Sequence, residues 1–181
     1  VFAAILAITA QPVAAVPSTT VVISEFRTRG IGAAPDFLTA DDQFVELYNL
    51  SPNPVTITDY SINTWDAING ESIGIAQLGS GGPVILQPYE HYLIVNGFGY
   101  SGGTAADDSF FQPIPADAVG IALIAADGTT VVDAVSTTGA APAGYGEGTA
   151  LASMTLDIDQ SYERLPGTAG IAPNNGHINT T

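Results

Sequence analysis

Short apolar runs separated by turn-forming residues recur along the chain from Thr19 onward, and this pattern limits the possible folds more than any other feature. No stretch shows the sustained apolar period of 3.6 residues that marks an amphipathic helix. The 20 glycines and 12 prolines would also interrupt long helices. The pattern therefore predicts an all-β fold, closed as a sandwich or barrel. The predicted strands are Thr20–Phe26, Phe44–Asn49, Val55–Tyr60, Val84–Leu86, His91–Asn96, Val119–Ala125, Val131–Ser136 and Ser161–Arg164.

Three longer segments, Thr64–Pro83, Gly97–Ala118 and Thr137–Gln160, interrupt this pattern and are rich in Gly, Ala, Ser and Asp. No break in composition separates two cores, so we expect these segments to be loops or added hairpins on one sandwich. The Asp127-Gly128 pair predicts a tight type I′ turn between two apolar runs. Alternation along the strands predicts a core formed by Ile23, Val45, Leu47, Ile57, Leu93, Val95, Leu123 and Val132.

Charge and cysteine content exclude several functions. The 18 acidic residues outnumber the three arginines, and with no lysine the formal net charge is −15. Phosphate backbones and anionic membranes are bound by clustered cations, which this sequence lacks, so we expect neither nucleic acid nor an anionic membrane surface as a partner. The absence of cysteine excludes disulfides, thiolate metal sites and cysteine nucleophiles.

The sequence opens with ten largely apolar residues, Val1–Ala10, followed by a spacer that contains Pro12 and Pro17. Ten residues in a helix span about 15 Å, half of a roughly 30 Å hydrocarbon core, so we expect no membrane span. Two interpretations remain open. The segment is a signal remnant with a cleavage site at Val13-Ala14-Ala15, or it is a strand inserted into its own sandwich or a neighbour's. The residues expected to contact a neighbouring subunit are Val1, Phe2, Ile5, Leu6 and Ile8.

Six stretches, taken in order, carry a family resemblance. They are VVISEF at 21–26, FVELYN at 44–49, VTITDYSI at 55–62, LQPYEHYLIV at 86–95, the hairpin Val119–Val135 and SYERLP at 161–166. Together they resemble the lamin tail domain family, an immunoglobulin-like fold found in nuclear lamins and in many bacterial and archaeal exported proteins. The resemblance covers roughly residues 19–166. It implies an immunoglobulin-like β-sandwich that serves in binding or assembly and has no enzymatic activity.

One serine motif suggests catalysis. Gly99-Tyr100-Ser101-Gly102-Gly103 fits the G-x-S-x-G string of a nucleophile elbow, which needs a preceding strand, a following helix and a histidine base. The glycines after the serine do not start a helix. The histidines, His91 and His177, lie in a predicted strand and in the C-terminal tail, so we expect a glycine-rich loop at this motif.

A pair of glutamates is the other catalytic candidate. Glu25 and Glu46 fall in neighbouring strand signatures and could act as an acid–base pair on a sugar. Because three arginines also need partners, we expect a structural contact of these glutamates with Arg27 or Arg164. We therefore expect the protein not to be an enzyme.

Acidic loops and two sequons provide the remaining candidate sites. Hard oxygen ligands suit calcium, but no twelve-residue calcium loop is present, so we expect a solvated acidic surface, no cofactor and at most a calcium site. The acidic residues concerned are Asp41, Asp42, Asp107, Asp108, Asp117, Asp157 and Asp159. Asn49 and Asn179 begin Asn-x-Ser/Thr triplets and are candidate glycan acceptors.

The sequence as a whole predicts three parts: an apolar arm and spacer at 1–18, an immunoglobulin-like β-sandwich with long loop insertions at 19–166, and an extended tail at 167–181. We expect an extracellular or cell-surface structural protein, a pilus-like filament subunit that polymerises when its arm joins a neighbouring copy. The alternative is a monomeric secreted or surface-attached module whose loops bind carbohydrate, protein or calcium.

Overall fold

The computed structural model describes residues 18–30, 42–115, 119–152, 160–165 and 174–180, with Leu165 and the last range described by backbone alone. These residues form strands, turns and irregular segments, with no helix among them. The prediction of an all-β fold is confirmed. No described helix is long and apolar enough to cross a membrane. The predicted arm lies outside the described residues.

Twelve strands make up the described structure. They are β1 (Val21–Arg27), β2 (Phe44–Asn49), β3 (Val55–Thr56), β4 (Ser61–Asp66), β5 (Glu71–Gln77), β6 (Ile85–Leu86), β7 (His91–Asn96), β8 (Asp108–Phe110), β9 (Val119–Ile124), β10 (Val131–Ser136), β11 (Gln160–Leu165) and β12 (Asn174–Thr180). Most are short, as the closely spaced turn residues predict.

Two large sheets contain most of these strands. The order is β12-β11-β1-β2-β7-β8 in a six-stranded sheet and β10-β9-β4-β5 in a four-stranded sheet, while β3 and β6 form a small sheet of their own. Neighbouring strands are antiparallel except β7 and β8, which are parallel. The main core combines Ile23 and Leu47 from the first sheet with Ile62, Ile121 and Leu123 from the second. It therefore fills the space between the two sheets, as in a sandwich.

A β-bulge in β1 sets the direction of several side chains discussed below. The pairing between β1 and β2 shifts register between Ile23 and Glu25. Ile23 and Phe26 therefore both belong to the core, although they are three positions apart. The two residues between them, Ser24 and Glu25, are half-buried and bind side chains outside this core.

The loop that follows β10 covers the outer face of the four-stranded sheet. Strand β9 is buried along its whole length, with Ile121 in the main core and Ala122 in a second cluster packed against Tyr145. Gly120 has no room for a side chain, because a Cβ atom there would overlap the carbonyl oxygen of Tyr145. The segment 137–152 therefore packs directly on the sheet.

Each predicted strand has a counterpart, but the sequence does not predict β4 or β12, and it places β5 and β8 in segments expected to be loops or added hairpins. The predicted strand Val55–Tyr60 ends at Thr56, because the chain turns at Asp59, whose φ is 63°. The sequence predicts an extended tail at 167–181, but this range contains β12, which pairs with β11.

Seven of the eight predicted core residues are buried, and Val132 is half-buried against the main core. Leu93 and Val95 belong to a separate cluster with Phe44, against which Tyr100 packs. Their strand neighbours explain this, since Val95 pairs with Phe44 rather than with the core residue Val45.

Candidate functional site: a buried ionic cluster beside a loop cavity

Three charged side chains meet in the interior, and we call them the ionic cluster. Nη2 of Arg164 lies 2.9 Å from Oδ2 of Asp133 and 2.8 Å from Oε1 of Glu147. The exposed fractions of the three side chains are 5% for Arg164, 0% for Asp133 and 4% for Glu147. Charges this deeply buried are uncommon unless they are paired, and each carboxylate here depends on the same guanidinium.

The ionic cluster joins separate strands of the two sheets. Asp133 comes from β10 and Arg164 from β11, and both bind the backbone of Ile23 in β1. The Ile23 N–H donates to Oδ2 of Asp133 at 2.7 Å, and Nε of Arg164 donates to the Ile23 carbonyl at 3.0 Å. The Ser18 N–H also donates to Oδ1 of Asp133, at 3.4 Å. The cluster therefore satisfies backbone hydrogen-bonding groups of Ile23, at the β1 bulge, and of Ser18.

Burial dominates the electrostatics of the cluster. It raises the pKa of Asp133 to about 7, against the opposing effect of the Arg164 guanidinium, and the nearby Glu147 carboxylate raises it further. Two carboxylates face one guanidinium, so these three groups carry a net negative charge when all are ionised. A proton or another cation would neutralise this excess.

A cavity of about 260 Å³ lies beside the ionic cluster, under the loop after β10, and we call it the loop cavity. Most of the described residues that line it are small, and Glu147 is the one charged residue among them. The lining residues are Ser136, Thr138, Gly139, Ala141, Pro142, Ala143, Gly146, Glu147, Gly148 and Ala150. Oε2 of Glu147 is buried and has no hydrogen-bond partner among the described residues. An acceptor that lacks a donor in the interior is costly.

Several contacts hold the loop around the cavity. The Ser136 hydroxyl donates to the Thr138 carbonyl at 2.7 Å, and the Leu151 N–H donates to the Ser136 carbonyl at 2.8 Å. The Tyr145 hydroxyl bonds to the Ser72 hydroxyl of β5. The loop is thus attached to both edges of the four-stranded sheet.

The predicted glutamate pair lies on the other face of the six-stranded sheet from the main core. Glu25 and Glu46 are direct cross-strand partners. Oε1 of Glu46 lies 2.8 Å from Nδ1 of His91 and accepts from the Ser24 hydroxyl at 2.6 Å, while the Ser161 hydroxyl donates to Glu25. These neighbours give each glutamate structural contacts, in line with the structural interpretation.

Opposing effects act on the ionisation of Glu25. Desolvation raises the pKa of Glu25, the Ser161 hydrogen bond and the Arg27 charge lower it, and the Glu46 and Glu163 charges raise it. Arg164, named with Arg27 as a partner for the pair, forms the ionic cluster with Asp133 and Glu147. Of the two arginines, Arg27 is the one whose charge acts on Glu25, and the ionic cluster around Arg164 is not predicted from the sequence.

The serine motif is held by an aspartate. The Ser101 hydroxyl donates to Oδ1 of Asp42 at 2.9 Å, and the Ser101 N–H donates to the same oxygen at 2.7 Å. Residues 102–115 are all described and contain no helix, so the strand–serine–helix geometry of an elbow is not formed. His91, in β7, binds Glu46. Ser101 is therefore fixed as a loop anchor.

The two candidate glycan acceptors differ. Asn49 is fully buried, and its Nδ2 donates to the carbonyls of Asn53, Leu86 and Gln87 at 2.9, 3.2 and 2.9 Å. A glycan on this nitrogen would require all three bonds to break, so the structure contradicts Asn49 as an acceptor. Asn179 lies in β12, and its side chain is outside the described part of the chain.

The acidic loops give no assembled metal site in the described ranges, where no group of three or more His, Asp or Glu could hold an ion. Carboxylates of Asp42 and Asp107 instead accept backbone hydrogen bonds from Ser101 and Leu93. Oδ2 of Asp108 accepts from the Tyr92 hydroxyl at 3.3 Å. The remaining candidates, Asp41, Asp117, Asp157 and Asp159, lie outside the described residues, as does the inter-subunit set Val1, Phe2, Ile5, Leu6 and Ile8. A calcium site therefore stays a prediction.

One edge of the four-stranded sheet is open. Strand β5 pairs with β4, and no second strand among the described residues pairs with it. It is seven residues long, and Glu71, its first residue, is its only charged one. The opposite edge, β10, is partly capped by the hydrogen bond from Leu151 to Ser136. Strand β8 spans only three residues.

No known protein-family profile matches the chain, and no curated protein matches it either. The resemblance to lamin tail domains therefore remains a prediction that depends on the six stretches quoted above. Function must be inferred from the ionic cluster, the loop cavity and the open edge of β5.

Proposed function

We propose that this chain is an extracellular, non-enzymatic, immunoglobulin-like β-sandwich related to lamin tail domains, and that it assembles into filaments by strand donation. In this proposal the apolar arm of one copy adds to the open edge of β5 in the next. The observation that carries the proposal is that edge. It is a seven-residue strand without Lys or Pro whose outer side no described strand covers.

The composition of β5 supports strand addition. Natural sheet edges are usually blunted by charges, prolines, bulges or short length, because an open edge recruits other strands. β5 has one charge and neither Lys nor Pro, and the ten residues of the arm carry no charge. The pairing of β5 with β4 does contain a bulge at Ile75, whose side chain belongs to the main core. An added strand supplies main-chain hydrogen bonds, and its apolar side chains extend the buried surface.

The positions of donor and acceptor favour a chain of subunits over a closed dimer. The arm joins the sandwich at Ser18, whose N–H donates to Asp133 of β10, at the opposite edge of the four-stranded sheet from β5. Three strand spacings separate these edges, about 14 Å. A contact between different surfaces on two copies is heterologous, so it repeats until a ring closes or a filament forms.

Negative-stain microscopy and size-exclusion chromatography of matched variants test this proposal. Deletion of residues 1–10, or Leu6→Asp, should leave a folded protein that does not polymerise, while Leu6→Val should polymerise normally, because a buried unpaired charge is costly. Gly74→Lys, at an exposed site on β5 with ordinary space for a Cβ, should also block assembly. Gly103→Lys adds the same charge in an open loop and should not.

Fibres formed by the deletion variant would contradict the proposal. A monodisperse monomer of the intact chain would do the same, and it would favour the second candidate function, a secreted or surface-attached binding module. The observation that favours this second function is the loop cavity, since it is a concave site formed by the loop after β10.

A further inference from the structure

The turn between β4 and β5 contains an Asn-Gly pair, Asn69-Gly70, and both residues are exposed. Asparagine followed by glycine is the dipeptide most prone to spontaneous succinimide formation, because no side chain shields the glycine nitrogen and the backbone there is adaptable. We propose that Asp66 protects this pair, and that the turn becomes a self-modification site when its hydrogen bonds to Asp66 are lost. This inference does not depend on strand donation, because it concerns the covalent chemistry of a single chain.

The reaction needs only the chain and water. The Gly70 nitrogen loses its proton to a solvent base and attacks Cγ of Asn69, so an N–C bond forms while the bond from Cγ to Nδ2 breaks. Nδ2 takes a proton from water and leaves as ammonia, and a five-membered succinimide ring remains. Water then opens the ring at either of its carbonyl groups, which gives aspartate or isoaspartate at position 69. No oxidation state changes, so neither an oxidant nor a reductant is needed.

Asp66 binds both reacting groups. Its Oδ2 accepts from Nδ2 of Asn69 at 2.6 Å, and its backbone carbonyl accepts from the Gly70 N–H at 2.7 Å. Oδ1 of Asp66 also accepts from the backbone N–H groups of Ile68 and Asn69, at 2.8 and 3.2 Å. Asp66 itself is 8% exposed and is fixed in β4 opposite Glu71 of β5. The attack therefore requires the carboxamide and the glycine nitrogen to be released from Asp66 first.

A second Asn-Gly pair, Asn96-Gly97, is protected by packing instead. Asn96 is 1% exposed, and the ring of Phe111 lies so close to Gly97 that a Cβ atom there would overlap it. At Gly70, by contrast, no atom of the described residues lies within 4 Å of the Cβ position. The third pair, Asn175-Gly176, lies in β12, whose side chains are outside the described part of the chain. Protection of the exposed turn therefore depends on its hydrogen bonds to Asp66.

Modification would change the beginning of β5. Either product replaces the Asn69 donor by a carboxylate that faces the Asp66 carboxylate, and like charges this close repel. Isoaspartate also adds a methylene to the backbone of the turn, directly before the pair of Asp66 with Glu71, where the pairing of β4 with β5 ends. The modified turn therefore cannot form the protecting hydrogen bond from Nδ2 again.

Peptide mapping by mass spectrometry of protein aged at pH 8 tests the proposal. In the wild type, products at Asn69 should form at least about tenfold more slowly in buffer than in denaturing urea, because hydrogen bonds to a charged group must break first. Asp66→Asn keeps the volume of the side chain, but only one of its two terminal atoms can accept a hydrogen bond. It should accelerate the reaction in the folded protein by about fivefold or more, and should have no effect in urea.

Two controls separate local protection from loss of the fold. Asp127→Ala removes a similar acceptor from the turn between β9 and β10, where Oδ1 of Asp127 accepts from the Thr129 N–H at 2.8 Å, and it should leave the rate at Asn69 unchanged. Asn96 should stay unmodified in the folded wild type and in folded Asp66→Asn.

Three results would overturn the proposal. Asp66→Asn could react no faster than the wild type in buffer, or its acceleration could be equal at Asn69 and Asn96, which would assign the effect to unfolding. The third result is an equal rate for the wild type in buffer and in urea, a comparison that needs no variant to fold.

Discussion

Removal of the guanidinium from the ionic cluster should be among the most damaging single changes in this protein. Arg164→Met keeps much of the volume of the side chain but leaves Asp133 and Glu147 facing each other in the interior. Arg164 also donates from Nε to the Ile23 carbonyl at 3.0 Å, so the substitution removes a hydrogen bond to β1 as well. Both carboxylates would then be buried without their cation.

The magnitude follows from the burial of the three groups. Breaking a buried ion pair by removal of one partner typically costs about 3–5 kcal/mol, and here two carboxylates lose the same partner. With a urea m-value of about 2 kcal/mol/M, this loss lowers the midpoint of unfolding by about 2 M. Arg164→Lys keeps the charge but not the planar fork, so its loss should be smaller.

The pH dependence distinguishes an electrostatic loss from a packing loss. Without Arg164 the Asp133 carboxylate is desolvated and uncompensated, so its protonation at pH 5 should recover at least half of the free energy lost at pH 8. Addition of Glu147→Gln to the Arg164→Met variant should also recover stability at pH 8. Urea titrations of all variants at both pH values measure this.

A loss below about 1 kcal/mol for Arg164→Met at pH 8 would refute the reasoning, because no buried pair of charges could then depend on this residue. A large loss that is equal at pH 5 and pH 8 would also refute it. In that case the damage would come from lost packing or from the hydrogen bond to Ile23.

Three further predictions concern the wild-type protein and its core. Because the folded pKa of Asp133, about 7, lies above its unfolded value of 3.8, the stability it contributes is complete below about pH 4 and is lost as pH rises through 7. Urea titration should show about 2–3 kcal/mol less stability at pH 8 than at pH 5, and Asp133→Asn should remove the difference. Leu47→Ala in the main core should cost about 2–5 kcal/mol in the same assay, and Leu93→Ala, in the smaller outer cluster, should cost less. Gly120→Ala should displace the loop at Tyr145 and change the fluorescence of the single tryptophan, which packs against that ring.

Much of the strand pattern follows from local sequence rules. The hairpin appears at Asp127-Gly128, but its turn is not the predicted type I′, because only Gly128 has a positive φ, 72°. In β7 the core residue is Ile94 rather than the predicted Leu93 and Val95, because three large apolar residues follow one another there and alternation does not select a face. Strand β4 departs from the rules because two of its buried positions are polar. The Thr64 hydroxyl donates to the Ile73 carbonyl, and Asp66 accepts from the N–H of Ile68. These local hydrogen bonds offset the cost of burying the two polar side chains.

The ionic cluster could not be predicted from the sequence. Asp133 and Arg164 are 31 positions apart, and Glu147 lies in a loop between them, so no short motif contains the three. A single signal was present: Asp133 interrupts the apolar strand Val131–Ser136, and a lone charge in such a run needs a buried partner. The identity of that partner depends on the order of strands in the two sheets.

Strand donation to β5 can be measured most directly by cysteine mapping, because the chain has no cysteine of its own. One preparation carries Leu6→Cys and a second, of different mass, carries Gly74→Cys. After mixing under mild oxidation, our account predicts a disulfide-linked heterodimer of the two preparations, and much less of it when Gly103→Cys replaces Gly74→Cys. Equal heterodimer with both partners, or none with Gly74→Cys, would contradict the account.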